Sequence, residues 1–258
     1  MLNNPVEYAL MAAAEKRHWW YRVLHERSLS PLPPLHAWRG GDGSDLSEAA
    51  GVRLLDAGCG TGGLLLKLQE CGYEDILGAD ISEHALQICK QCGLNVMQSN
   101  VRDLPQKLSG QTFDTIICND VLCYFTMEEI PPIIEGFKSL LKPGGLLIMN
   151  NPAHAAFAGN HDVAVGIVTR FNPLALKRVV VSCQLSVVSY SCWPFLLSPM
   201  IFLVRKLQRR KSGGEVVSDV SMPPFWLNNL LYSICKLEMK IFSRAPWGSS
   251  VFIVARKG

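Results

Sequence analysis

The residues best placed to do chemistry sit in one short run, Asp56-Ala-Gly-Cys-Gly-Thr-Gly-Gly63. It joins a hydrophobic stretch at 52–55 to the apolar repeat Leu64-Leu-Leu-Lys-Leu68, so it reads as strand, glycine turn and helix start. Glycines there tolerate positive φ and let a ligand approach the backbone with no Cβ in the way. The helix N-terminus behind them offers unpaired N–H groups. Gly58-x-Gly60-x-x-Gly63 also has the spacing of a dinucleotide loop. Asp56, two residues earlier, argues against that use, because its carboxylate would repel a pyrophosphate and attract a zwitterionic or cationic ligand. A second acid, Asp80, stands twenty residues after Gly60, where a carboxylate can accept both hydroxyls of a ribose.

These residues need a scaffold, and the flanking pattern supplies one. Further strands are predicted at 74–80, 94–98, 113–118 and 146–149, with helical stretches between them. Alternating strands and helices imply a parallel sheet with right-handed crossovers. A helix starting near Thr126 accommodates Pro131-Pro132 only in its first turn or at a kink. Residues 172–181 read as a helix, 184–190 as a strand and 251–255 as the last strand. Residues 5–30 read as one helix, followed by a loop at 31–48 containing Pro, Gly and Asp. The expected fold is α/β: a doubly wound, Rossmann-like, seven-stranded, mostly parallel sheet with an N-terminal cap helix and a C-terminal helical insertion. The expected divisions are 1–48 (cap helix and loop), 49–193 (α/β core), 194–248 (lid insertion) and 249–258 (last strand).

The series Asp56-Ala-Gly-Cys-Gly-Thr-Gly62, Asp80, the segment at 100–105, Phe113-Asp114 and Leu141-Lys-Pro-Gly-Gly145 resembles the class I S-adenosylmethionine (SAM) dependent methyltransferases. The resemblance is strong over 50–150 and weaker outside. It implies SAM as cofactor, with Asp56, Gly58, Cys59 and Gly60 holding its methionine end. It also implies that Asp80 binds the ribose, with Ile81, Asn100 and Val101 around the adenine and Asn119 near the methyl donor. Asn100 stands where relatives often have Asp, and an amide oxygen can still accept from the adenine amine.

Glu15-Lys-Arg-His-Trp-Trp-Tyr-Arg22 is similar to the His-Trp-Trp-aromatic helix of a bacterial small-molecule branch of that family. There the helix closes over the cofactor and helps form the substrate pocket. The resemblance implies a cofactor role for Tyr21 and a substrate role for Trp19 and Trp20; plain helix packing is the other reading. Leu24 replaces an arginine common in relatives, leaving Arg22 or Arg27 to reach the cofactor carboxylate. His154, His161-Asp162 and Arg170-Phe171 resemble a segment that follows the fifth strand in the same branch. A histidine titrating near neutrality can take the proton a hydroxyl or amide loses on methylation. His161, steered by Asp162, is the candidate base, with His154 at the substrate; a His–Asp pair that only fixes a loop is the alternative.

The chain has 258 residues, 48% of them hydrophobic and 18% charged, enough apolar content to bury a core and exclude disorder. A net charge of +3 is too small to imply nucleic-acid binding. Asn119-Asp-Val-Leu122 also lacks the Pro-Pro-aromatic signature of amino-group DNA methylation. Nine cysteines in no framework spacing suit a reducing cytoplasm, where the protein is expected. Cys89-x-x-Cys92 has no second pair to complete a zinc site, so no metal is expected. The start shows no basic segment followed by an apolar one, hence no signal peptide.

Within the insertion, residues 193–204 are apolar and 205–211 basic. About a dozen apolar residues cannot span a bilayer, which needs ~20. The segment is therefore a lid over a hydrophobic acceptor with Phe195 in contact, an interfacial helix giving peripheral membrane contact through 193–211, or plain core. Pro194 and Pro199 favour a bent lid. Together these readings predict a methyltransferase acting on O or N of a small apolar molecule, a specialised metabolite. The rivals are a membrane-surface enzyme of an isoprenoid- or lipid-linked substrate, a non-catalytic SAM-fold binding protein, and an NAD-dependent dehydrogenase, which Asp56 disfavours. Oligomeric state is not legible.

Overall fold

In the computed structural model, residues 5–32, 51–210 and 222–258 are described. Seven strands form one sheet: β1 (Leu54–Ala57), β2 (Ile76–Asp80), β3 (Val96–Gln98), β4 (Phe113–Asn119), β5 (Leu141–Pro152), β6 (Leu185–Trp193) and β7 (Ser250–Lys257). Their order is β3-β2-β1-β4-β5-β7-β6. The first five pair in parallel, and β7 runs antiparallel to both β5 and β6. This is the doubly wound, mostly parallel sheet expected.

Side-chain alternation divides the core between the two faces of the sheet. Leu55, Ile116, Leu147 and Ile253 pack with helices Leu104–Lys107, Ile130–Leu140 and Pro173–Ser182. Their neighbours Leu54, Ile117, Ile148 and Val254 pack on the other side with Trp19–Leu29, Gly63–Glu70 and Glu83–Gln91. Burial on both faces is why these strands read as near-continuous apolar runs. The Pro131-Pro132 pair falls in the first turn of Ile130–Leu140, where a missing N–H costs nothing.

The stretch at 5–30 is two helices rather than one, Pro5–Glu15 and Trp19–Leu29. His18 caps the second, its Nδ1 accepting from Trp20 N at 3.3 Å. Asn228, far along the chain, completes the break: its Oδ1 accepts from Trp19 N and its Nδ2 donates to Arg17 O, both at 2.8 Å. One free N–H of the helix start and the carbonyl of Arg17 before it are thus paired by a residue no local pattern could reveal. β5 is also longer than expected, reaching Pro152.

The insertion leaves the sheet after Trp193 and returns at Ser250, carrying helices Ser198–Arg210 and Phe225–Ile241. Pro194 lies in the turn that follows β6 and Pro199 in the first turn of Ser198–Arg210, so the segment at 193–204 changes direction before the helix, which itself runs unbroken. The loop at 33–48 and Lys211 of the basic run lie outside the described residues.

Candidate cofactor and acceptor site

The strand order reverses between β1 and β4, and ligands of open α/β sheets bind beyond the carboxyl ends of the strands at such a point. A cavity of about 570 Å³ opens there. Asp56 ends in it from β1, Asn119 and Asp120 from the end of β4, Pro152 from β5 and Ser250 from β7.

The glycine turn borders the cavity through Cys59. Gly58, Gly60 and Gly62 all have positive φ, and a Cβ on Gly58 would lie 2.0 Å from Val121 Cγ2. Only glycine therefore fits at Gly58. Gly60 N donates to Asp80 Oδ2 at 2.9 Å, and Ser82 N donates to Asp80 Oδ1 at 2.8 Å, which fixes that carboxylate beside the turn. Ile81 is exposed next to it, and Asn100 accepts from Arg102 N in its own short turn, with Val101 buried behind.

The first helix lies over this turn. Glu15 accepts from Thr61 Oγ1 at 2.7 Å and from Gly63 N at 2.8 Å, so a carboxylate of the chain itself sits on the helix start. Burial pushes Glu15 up to about 7, its two hydrogen bonds opposing the shift. Burial pushes Asp56 up to about 8, helped by the neighbouring charges of Glu15 and Asp80. Asp120 is driven up to about 7 by burial, although Asn150 Nδ2 donates to both its oxygens at 3.0 and 3.1 Å. Its φ of 54° is a left-handed conformation rare outside glycine.

Four carboxylates gathered around bare backbone make a site that favours positive charge. Asn119 adds an acceptor: its Nδ2 donates to Ser28 Oγ at 3.0 Å, while its buried Oδ1 has no partner. A ligand bearing a sulfonium and an ammonium fits these groups, and a pyrophosphate does not. Among the described residues no cluster of His, Cys, Asp and Glu could hold a metal ion.

The structure brings seven of the fifteen sequence-selected residues into the cavity wall. Trp19, Trp20, Tyr21, Asp56, Cys59, Asn119 and His161 all line the cavity. Burial raises the Tyr21 hydroxyl far above its usual range, with Glu15 and Asp120 adding to the shift, so it stays a neutral donor. Gly58, Gly60, Asp80, Ile81, Asn100 and Val101 are not among the lining residues, and neither are Phe195 and His154. Phe195 packs against Phe242 with ring centroids 5.3 Å apart, and His154 lies on Trp247 at 4.3 Å. Asp162 serves arginines: Arg170 Nε and Nη2 donate to it at 2.5 and 2.8 Å, and Arg205 Nη1 at 3.3 Å. His161 contributes to holding that carboxyl below its ordinary range, but Arg170 dominates among the charges that do so.

Sequence reasoning missed Tyr8, Met11, Glu15, Asp120 and Tyr124 in the lining. Asp120 carried a readable signal, an acid just past a buried strand at the reversal point. Glu15 carried none, because its partners are 46 and 48 residues away.

The Methyltransferase domain family matches residues 48–170. A protein of Geobacillus sp. (strain WCH70) that is assigned to the methyltransferases by name alone is 24% identical, covering 93% of this chain and 97% of that protein. The ubiquinone biosynthesis O-methyltransferase of Acinetobacter baylyi is 30% identical over 170 residues, 60% of this chain and 67% of the relative. A SAM-dependent methyltransferase of Mesorhizobium loti has the same fold, with a TM-score of 0.56 at 16% identity over 96% of this chain and 100% of its own. With the reversal-point cavity and the acid-rimmed glycine turn, these likenesses show that the chain belongs to the class I SAM-dependent methyltransferases.

Proposed function

We propose that this enzyme methylates an oxygen or nitrogen of a small apolar molecule, a specialised metabolite. The observation that carries the reading is the carboxylate cluster on the glycine turn opening into a cavity with an apolar far wall. Trp19, Leu24, Val165, Ile167 and Ile201 furnish that wall. The ubiquinone relatives are named as O-methyltransferases, which favours oxygen as the accepting atom.

Asp56, Gly58, Cys59 and Gly60 would hold the methionine end of the cofactor, Asp80 its ribose, and Ile81, Asn100 and Val101 its base. Bound SAM supplies an electrophilic methyl group on a sulfonium. The chain's part is to orient the acceptor, exclude water and receive the proton it loses. Tyr21 and Trp20 close over the cavity from the cap helix, and helix Ser198–Arg210 roofs it through Met200, Ile201 and Val204. His161 takes the proton, and the Arg170–Asp162 pair holds its short helix Asn160–Val165 in place.

Calorimetry tests the cofactor half of this reading. S-adenosylhomocysteine should bind and NAD should not; tight NAD binding would overturn it. Methylation of a panel of apolar phenols and amines tests the acceptor half.

A further inference from the structure

Helix Phe225–Ile241 has two apolar faces, and only one is used by the fold. Leu231, Cys235 and the paired Asn228 and Glu238 are buried against the cap helix. On the opposite side Trp226, Leu230, Leu237 and Ile241 stand 67%, 49%, 53% and 60% exposed. Their spacing of four, seven and four residues keeps them on a single stripe. Phe225, at the start of the helix, is 84% exposed and lies close in sequence to Pro223, which lines the cavity. Met200 and Val204 of the neighbouring insertion helix also line the cavity while remaining exposed. The apolar surface therefore reaches the cavity mouth. Four large apolar side chains exposed along one helix face mark an interaction surface rather than ordinary surface scatter.

Charge identifies the occupant. Within the described parts of the insertion, Lys206, Lys236, Lys240 and Arg244 are exposed, and Arg205 is half-buried. The sole acid there, Glu238, is buried in an ion pair with Arg27 at 3.3 Å. Among the described residues of the insertion, apolar side chains fringed by cations with no exposed acid complement an anionic lipid surface, with the stripe entering the acyl boundary and the lysines among the headgroups. No described helix is long and apolar enough to cross a membrane, so the contact is peripheral. The cap helix fixes how the stripe is presented. Arg22 donates to Asn229 at 3.1 Å, Tyr232 donates to Glu26, and Lys236 pairs with Glu26 at 2.9 Å.

We propose that the exposed stripe of helix Phe225–Ile241, together with Met200 and Val204, docks the protein on anionic membranes and lets a bilayer-dissolved acceptor enter the cavity. The docking element is thus centred on the second insertion helix rather than on 193–211. The entry route rests on the methyltransferase reading above; the docking itself does not.

Flotation of the full chain with phosphatidylcholine vesicles, with and without phosphatidylglycerol, tests this. The protein should float with the anionic vesicles, and high salt should release it. Lys240→Glu should weaken binding at least about fivefold, the worth of one cation near such a surface. Trp226→Ser with Leu237→Ser should abolish flotation while S-adenosylhomocysteine binding by calorimetry is kept, which shows the fold intact. Flotation without S-adenosylhomocysteine binding would sustain docking and sink the functional reading. No flotation by a protein that binds S-adenosylhomocysteine would overturn docking alone. A wild-type dimer in sedimentation that the double substitution makes monomeric, with no vesicle binding, would assign the stripe to a second copy and likewise overturn it.

Discussion

Trp20 of the cap helix stacks on Trp193 at the end of β6, ring centroids 5.5 Å apart and planes 22° from parallel. Trp193 Nε1 donates to Asn150 Oδ1 at 2.7 Å, and Asn150 in turn holds Asp120. The cap helix is thereby coupled to the acid at the reversal point through three side chains. Trp20→Ala should cost about 2 kcal/mol, given a half-exposed aromatic and a lost stacked pair. In a chain of this size that lowers Tm by roughly 4–8 °C. Cofactor affinity should fall with it. Tyr21→Ala, which meets Trp20 only edge-on, should slow turnover and loosen the cofactor with little change in apo Tm. Thermal melts and calorimetry on both variants check this.

Arg27 and Glu238 form an ion pair with almost no solvent exposure, and Glu238 Oε2 also accepts from Leu196 N at 2.9 Å. Arg27→Ala strands a buried carboxylate and should cost about 3–5 kcal/mol. The double change Arg27→Met with Glu238→Leu should recover most of that loss, short of the bond to Leu196. Denaturant titration of the two variants distinguishes a pair that holds the insertion from one that merely fills space.

The acids of the site set a pH dependence. Folded Glu15, Asp56 and Asp120 titrate near 7, 8 and 7, above the unfolded carboxylate range near 4. The folded chain therefore binds more protons than the unfolded chain between about pH 4 and 8. Apo stability should be fullest below that window and decline as pH rises through it. A cationic ligand prefers the ionised acids, so SAM affinity should grow over the same window. Melts from pH 5 to about 9 with and without SAM should show curves that diverge, and Glu15→Gln should reduce the divergence. Parallel curves would mean that these acids are not near the bound cation.

If His161 accepts the proton, turnover should fall as pH drops through the histidine range. His161→Ala should lose about 10²–10⁴-fold in kcat with S-adenosylhomocysteine affinity unchanged. Wild-type turnover in that variant would pass the role to another group, and Asp120→Asn is the comparison to run beside it.

For the roof, Ile201→Ser with Val204→Ser should raise KM for the acceptor and leave that for SAM alone. Steady-state kinetics in both substrates are sufficient. Equal rises in both constants would place these residues at the cofactor instead.

The nucleotide half was legible because its signals are local. Asp56 through Gly63 and Asp80 are fixed by their places at strand ends, and β1 to β5 announce themselves as apolar runs. The failures in the cap and the insertion involve distant pairs. The break at 16–18 depends on Asn228, Glu15 meets Thr61 and Gly63 across a crossing helix, and Phe195 turns to Phe242 because Leu196 N is held by Glu238. Composition showed that the insertion is apolar and basic, but the side each residue faces is decided by the cap helix it packs on.

β7 is the last strand of the chain yet lies between β5 and β6. β6 has no ladder of hydrogen bonds, and β5 only the one to β4, until Ser250–Lys257 arrives. During synthesis the sheet therefore cannot close until these residues have left the ribosome, and until then two strands remain open templates for mispairing. A substitution that disturbs these eight residues would strike the sheet between two of its strands rather than at its edge.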